Sequence, residues 1–193
     1  MSKSDVIFQY VTGYHGTDAA CADSVMGKNF NESKGKYHWL GDGVYFFTKG
    51  ISVSPSDDAR KWAVAQAWNA DKKKYDYTHY VVLSSEIRLF KLWDLTTEDG
   101  MRIFNYARQE ILKKIREKGR PSEKYFDSTV INYVKKQLDY QVIKANFYIK
   151  FIFERMNRIY SRIPNTTILA VSDSANNIDK DSIRIEERGK IQS

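Results

Sequence analysis

Apolar and polar positions run in short β-like stretches at both ends of this chain and follow a helical period in its middle. VIFQYVT at 6–12 is β-branched and aromatic and predicts a strand. It leads into Gly13-Tyr14-His15-Gly16-Thr17, which reads as a turn, and Asp18 then caps a short helix through Met26 that Gly27 ends. NFNESKGKYH at 29–38 is a polar loop, Gly41-Asp42-Gly43 a turn and Val44 to Phe47 a strand. Ser56 or Asp57 caps the next helix, DDARKWAVAQAWNAD, with Ala59, Trp62, Ala63 and Ala67 on one face.

Strands are expected at Tyr80 to Leu83 and around Arg88 to Trp93. Thr96 or Thr97 caps a long helix whose apolar stripe is Ile103, Phe104, Ala107, Ile111, Leu112 and Ile115, and Gly119 and Pro121 stop it. Another helix reads from Ser122 to about Leu138; helix and strand patterns overlap from 139 to 163. TTILAVSD at 166–173 is a strand and SIRIEE at 182–187 an edge strand. Strands, then helices, then strands again predict an α+β fold: one domain over 1–193, with a helical insertion at about 97–163.

Composition narrows the function classes. At 193 residues, 42% hydrophobic and 14% aromatic, the chain can bury a core. No run approaches the roughly 18 apolar residues of a membrane span, and MSKSDVIFQYVTG lacks the pattern of a signal peptide. A cytoplasmic protein with no membrane partner is the expectation. Cys21 is the single cysteine, expected as a buried inert thiol, so no internal disulfide forms. His15, His38 and His79 show no metal-binding spacing, and no metal is expected.

The net charge of +7 is uneven: 15 Lys or Arg face 6 Asp or Glu between Arg102 and Arg162, and tyrosines and phenylalanines are interleaved with them. Such a surface suits an acidic partner, whether RNA, DNA or an inhibitory protein, although a solvated helical face reads equally well.

Two stretches carry candidate chemistry. In GYHGTD, Gly16 permits close approach of a ligand to the backbone, and His15 can donate to a sugar hydroxyl or simply bond within its turn. In LGDGVYFF, Tyr45 and Phe46 point to opposite faces of a strand, one toward the core and one toward a cleft.

A strand ending in YHGT, a helix, a loop, LGDGVYF and a helix containing ARKWA together resemble the PARP-like ADP-ribosyltransferases, over residues 6–95 and more loosely over 165–185. The resemblance implies that family's split antiparallel or mixed sheet, here with a basic helical insertion. It implies NAD+ as cosubstrate, held by His15, Gly16, Thr17, Gly43, Tyr45 and Trp62: His15 on the adenosine ribose, Gly16 on the nicotinamide amide through its backbone, and Tyr45 with Trp62 stacking the nicotinamide ring. In the family a glutamate begins a strand near the C-terminus, but TILAVSD puts Ile168 there, which disfavours polymer synthesis. Glu154 is the candidate replacement carboxylate, with Glu86 and Asp173 behind it; as a bland alternative, Glu154 pairs with a nearby arginine on a helix surface.

The expected activity is mono-ADP-ribosyl transfer to a macromolecular acceptor, RNA or DNA first, with His15, Tyr45 and Glu154 as the catalytic set. The biological setting that the resemblance implies is a toxin or anti-phage effector restrained by an antitoxin. The alternatives are an NAD glycohydrolase and a catalytically inactive module of the same fold that binds nucleic acid or protein.

Overall fold

In the computed structural model, which describes residues 9–35, 37–119 and 126–191, the GYHGTD stretch is strand rather than turn. β1 (Tyr10–Asp18) runs through all of it, because it pairs antiparallel with a later strand as far as Asp18↔Tyr80. Its expected first residues, 6–8, lie outside the described residues. Asp18 does cap α1 (Ala19–Lys28), its carboxylate accepting from the Cys21 N–H at 2.9 Å. Cys21, expected to be buried, is exposed and borders a cleft, while the buried residue of α1 is Ala22.

β2 (Val44–Thr48) follows, and then α2 (Pro55–Ala67). The cap of α2 is Ser54, with Pro55 in the first turn, rather than Ser56 or Asp57. Ala59, Ala63 and Ala67 are fully buried, as their shared face predicted. The helix ends short of Asp71, because Trp68–Asn69 (β3) and Lys74–Tyr75 (β4) form a small hairpin of their own.

Both expected strands are present with other bounds: β5 (His79–Arg88) runs on past Leu83 to Arg88, and β6 (Leu92–Asp94) is shorter than the stretch around Arg88 to Trp93. α3 (Glu98–Glu117) is capped by Thr97, whose hydroxyl accepts from the Gly100 N–H at 3.1 Å. It ends at Gly119, in the left-handed region at φ +67°. Pro121 and the expected start at Ser122 fall outside the described residues; α4 spans Asp127–Leu138. The ambiguous stretch resolves into β7 (Val142–Phe147) and a short α5 (Ile152–Met156), so the segment expected to be a helical insertion also supplies a strand to the sheet. β8 (Thr166–Val171), α6 (Ser174–Asn177), a 3-10 turn at Lys180–Ser182 and β9 (Arg184–Lys190) complete the chain.

The main sheet has the order β6-β7-β8-β2-β1-β5-β9, which makes β9 an edge strand as expected. Every neighbouring pair is antiparallel except β6 and β7. The α+β class therefore holds, with a mostly antiparallel mixed sheet. One face buries the alanine face of α2 together with Trp93, Phe104 and Ile131 from the α3–α4 side. The other buries Phe46, Leu83 and Leu169 against Ala22 of α1 and Ile178. None of the described helices is long and apolar enough to cross a membrane.

Candidate functional site

The central strands part where the two quoted stretches meet. β1 and β5 pair over nine positions, but β1 and β2 pair only at Gly13↔Thr48 and Tyr14↔Phe47. Beyond Tyr14 the His15 ring takes over the linkage, its Nδ1 lying 2.8 Å from the Tyr45 carbonyl oxygen. A cleft of about 510 Å³ opens at this parting. His15, Gly16, Thr17, Tyr45 and Trp62 all line it, and so does Ile168.

His15 packs edge-on against Phe30 and Phe46, with ring centroids 5.3 and 5.8 Å away. Burial holds its pKa below the ordinary value, and the bond to the Tyr45 carbonyl only partly offsets that. The ring is therefore neutral at pH 7. A carbonyl oxygen can only accept, so Nδ1 carries the proton and Nε2 is left with its lone pair. Toward a hydroxyl in the cleft His15 is an acceptor, the reverse of the donor role expected from sequence.

Tyr45 lies on the opposite face of β2 from Phe46, as the strand alternation predicts: it packs with Phe47, while Phe46 packs with Val44. Its hydroxyl accepts from the Leu40 N–H at 2.8 Å and donates to the Gly41 carbonyl at 2.7 Å. Burial raises the phenol pKa well above its ordinary value. The hydroxyl is thus spent on the turn, and what Tyr45 offers a ligand is its ring.

That turn is itself braced from α4. The Asp42 N–H donates to Asn132 Oδ1 at 2.9 Å, and the Lys135 ammonium donates to the Asp42 carbonyl. Gly41 is at φ +73°, and a Cβ there would lie 2.2 Å from Asn132 Oδ1. Asn132 and Lys135 were not singled out by sequence reasoning; nothing local marks them, since their partner is 90 or more residues away.

The glycines answer to packing rather than to a ligand. A Cβ on Gly16 would sit 1.9 Å from the Ala59 carbonyl oxygen, so its bareness admits the α2 backbone. Gly43 is outside the cleft lining and exchanges backbone hydrogen bonds with Ser33, at 3.0 and 3.2 Å.

Tyr37, His38, Trp39 and Trp62 add further rings to the lining, and Phe147 lies outside it. Trp62 meets Trp39 edge-on at 5.6 Å, and Trp39 stacks on Phe147 at 5.5 Å. The rings of His38 and Tyr45 are 5.9 Å apart. Trp39 and Phe147 were missed because they lie in a loop and in the ambiguous stretch.

The candidate carboxylates are elsewhere. Glu154 lies in a separate groove beside Arg60, Lys61 and Phe151. It makes no ion pair among the described residues, and its Oε2 is buried without a hydrogen-bond partner. Glu86 accepts from the Thr12 hydroxyl at 2.9 Å on the far side of β1, and the Asp173 N–H donates to Glu32 at 2.7 Å. Among the described residues, no Asp, Glu, Lys or Arg lines the cleft. Ile168, 3% exposed, occupies the wall opposite Phe47 in the β2–β8 ladder.

No protein-family profile matches the chain. It is 28% identical over 159 residues to a protein of Methanocaldococcus jannaschii that is itself named only as uncharacterized, an alignment covering 80% of this chain and 70% of that one.

Proposed function

We propose that this chain is an NAD+-dependent mono-ADP-ribosyltransferase of PARP-like fold, with nucleic acid as its acceptor. The observation that carries the reading is the shared cleft: His15, Gly16, Thr17, Tyr45 and Trp62, spread over nearly fifty positions of sequence, line one opening where β1 and β2 part.

The chemistry of the lining suits the nicotinamide end of NAD+. Its pyridinium ring is cationic, and a cleft walled by Tyr45, Trp62 and Trp39, with no charged side chain among the described residues of its lining, favours such a ring through the negative faces of the aromatics. A diphosphate meets no cation among the described lining residues and sits at the open mouth. The neutral His15 Nε2 accepts from a ribose hydroxyl. In the reaction the bond between C1′ and the pyridinium nitrogen breaks, and nicotinamide leaves as a neutral molecule with the bonding pair. The acceptor atom bonds C1′ and gives up its proton. With Ile168 in the wall and no carboxylate among the described lining residues, the base for that proton comes from the acceptor itself, and elongation to a polymer lacks its catalyst.

The deciding experiment uses NAD+ labelled on its adenylate phosphate, offered with RNA, single-stranded DNA or lysate protein. Label on a nucleic acid, lost in Trp62→Ala and His15→Ala proteins of unchanged circular dichroism, is the expected result. Label on protein alone would replace the acceptor class, and free ADP-ribose in every pool would make the enzyme a glycohydrolase. Intact NAD+ in all pools, with no NAD+ contact in saturation-transfer NMR, would end the enzymatic reading in favour of a binding module.

A further inference from the structure

Between β7 and β8 the chain leaves the sheet just before one wall residue of the cleft, Ile149, and returns just before another, Ile168. Within this excursion five large apolar side chains stand in solvent: Phe153 is 66% exposed, Met156 78%, Ile159 37%, Tyr160 82% and Ile163 77%. Such a concentration in eleven positions is the mark of a surface that is covered by something. Arg158 and Arg162 are exposed among them and have no ion-pair partner among the described residues. Arg155 spends its guanidinium on two backbone carbonyls, of Lys150 and of Ala65, at 2.9 and 3.0 Å. Those carbonyls cancel none of its charge. Glu154 is the one carboxylate in the stretch from 148 to 163, against Lys150 and three arginines.

The same face contains a groove of about 370 Å³ between α2 and α5. Its apolar walls are Val64, Phe151, Ile152 and Phe153, and Arg60 and Lys61, both ion-paired with Asp57, also line it. Glu154 also borders it, and the buried, unpartnered Oε2 wants an N–H or O–H donor from an occupant.

We infer that this face docks an acidic amphipathic segment of a partner protein, one apolar side chain of which fills the groove between α2 and α5. Charge selects the partner: the exposed cations call for acidic residues, and a second copy of this cationic face would be repelled. The apolar side chains select protein over nucleic acid. Met156, Ile159 and Ile163 present no plane on which a base can stack, and Tyr160 already carries the Lys150 ammonium 3.1 Å from its ring centroid. Methionine, tyrosine and arginine around an apolar pocket are instead the composition of protein interfaces. Nothing in this inference depends on NAD+.

The test selects randomised peptides, each a few helical turns long, on the full chain by display. Two variants with exposed substitutions, Met156→Ser with Ile163→Ser and Arg158→Glu with Arg162→Glu, serve as counter-targets once their melting temperatures match the parent's. Enriched peptides should pair Asp or Glu with Leu, Ile or Phe at helical spacing and lose roughly tenfold or more in affinity on both variants. Bound peptide should also slow amide exchange within 150–163. Failure to enrich any sequence, or enrichment of peptides indifferent to both variants, overturns the inference. So does an oligothymidylate whose binding both variants abolish when no acidic peptide is selected, for the face would then belong to nucleic acid.

Discussion

Gly16 lacks a side chain because α2 lies where one would go. Replacing it with alanine sets a methyl carbon 1.9 Å from the Ala59 carbonyl oxygen, and backbone cannot swing aside as a side-chain tip can. The expected cost of Gly16→Ala is about 1–3 kcal/mol, read as a lower urea midpoint with an unchanged slope. A second prediction belongs to the neighbouring residue. His15 has a folded pKa below its ordinary value of 6.5, chiefly because burial disfavours the cation. It therefore takes up a proton on unfolding, and its contribution to stability is complete above the unfolded pKa and declines as pH falls from there toward the folded one. Urea titrations across about pH 5 to 8 should show this slope in the parent and lose it in His15→Gln. Equal slopes in both would mean that folding leaves the His15 pKa unchanged, and a slope of opposite sign that the folded ring is the charged one and that Nε2 donates after all.

At the scale of elements, the cleft depends on a helix that does not line it. Tyr45 is fixed by its hydrogen bonds to Leu40 and Gly41, and the turn between them is fixed by Asn132 and Lys135 of α4. Asn132→Ala should cost about 1 kcal/mol of stability and weaken NAD+ binding beyond what that loss explains, measured by quenching of Trp39 and Trp62 fluorescence. Asn132→Asp keeps the acceptor oxygen and should restore binding; an affinity equal in all three proteins would show that the turn holds Tyr45 unaided.

The same long-range partnerships decide what was legible in the sequence. Asp18, Thr97 and the alanines of α2 could be read because their signals are local. β5 outran its expected end because Ser84, Ser85 and Glu86 look like the close of an apolar run. They stay in the strand because the 179–186 segment satisfies them: the Ser85 hydroxyl donates to the Asp179 carbonyl at 3.1 Å, and the Glu86 N–H donates to the Ser182 hydroxyl at 2.8 Å. GYHGTD looked like a turn for a related reason, since Gly13 and Gly16 make room for Phe46 and Ala59 rather than for a bend. Among the lining residues, His15, Tyr45 and Trp62 were legible from residue type and order, and Trp39 was not. The brace from α4 and the separation of Glu154 from the cleft were not, because only the folded topology decides them.

At the scale of the whole molecule, α3 and α4 are the crossover that the parallel pairing of β6 with β7 requires. They are not an appendage. β7 lies between β6 and β8, and the Lys144 ammonium bonds Asp94 of β6 at 3.0 Å. A chain in which residues 98–138 are replaced by a short flexible linker cannot bring Leu92 beside Val142 in that sense. The expected result is a protein without cooperative thermal unfolding or dispersed NMR resonances. A folded, cooperative product would show that the β8-β2-β1-β5 core stands alone.

The cleft has walls drawn from residue 15 to residue 168, and this gives it a history during synthesis. The chain emerges from the ribosome N-terminus first. When β1, β2 and α2 are out, β2 has only its two-position pairing with β1 and no β8 on its other side. The Leu40–Gly43 turn then waits for α4, and the wall at Ile168 waits longer still. A half-made chain has His15, Tyr45 and Trp62 but no cleft between them, so the site comes into being only as the last strands close.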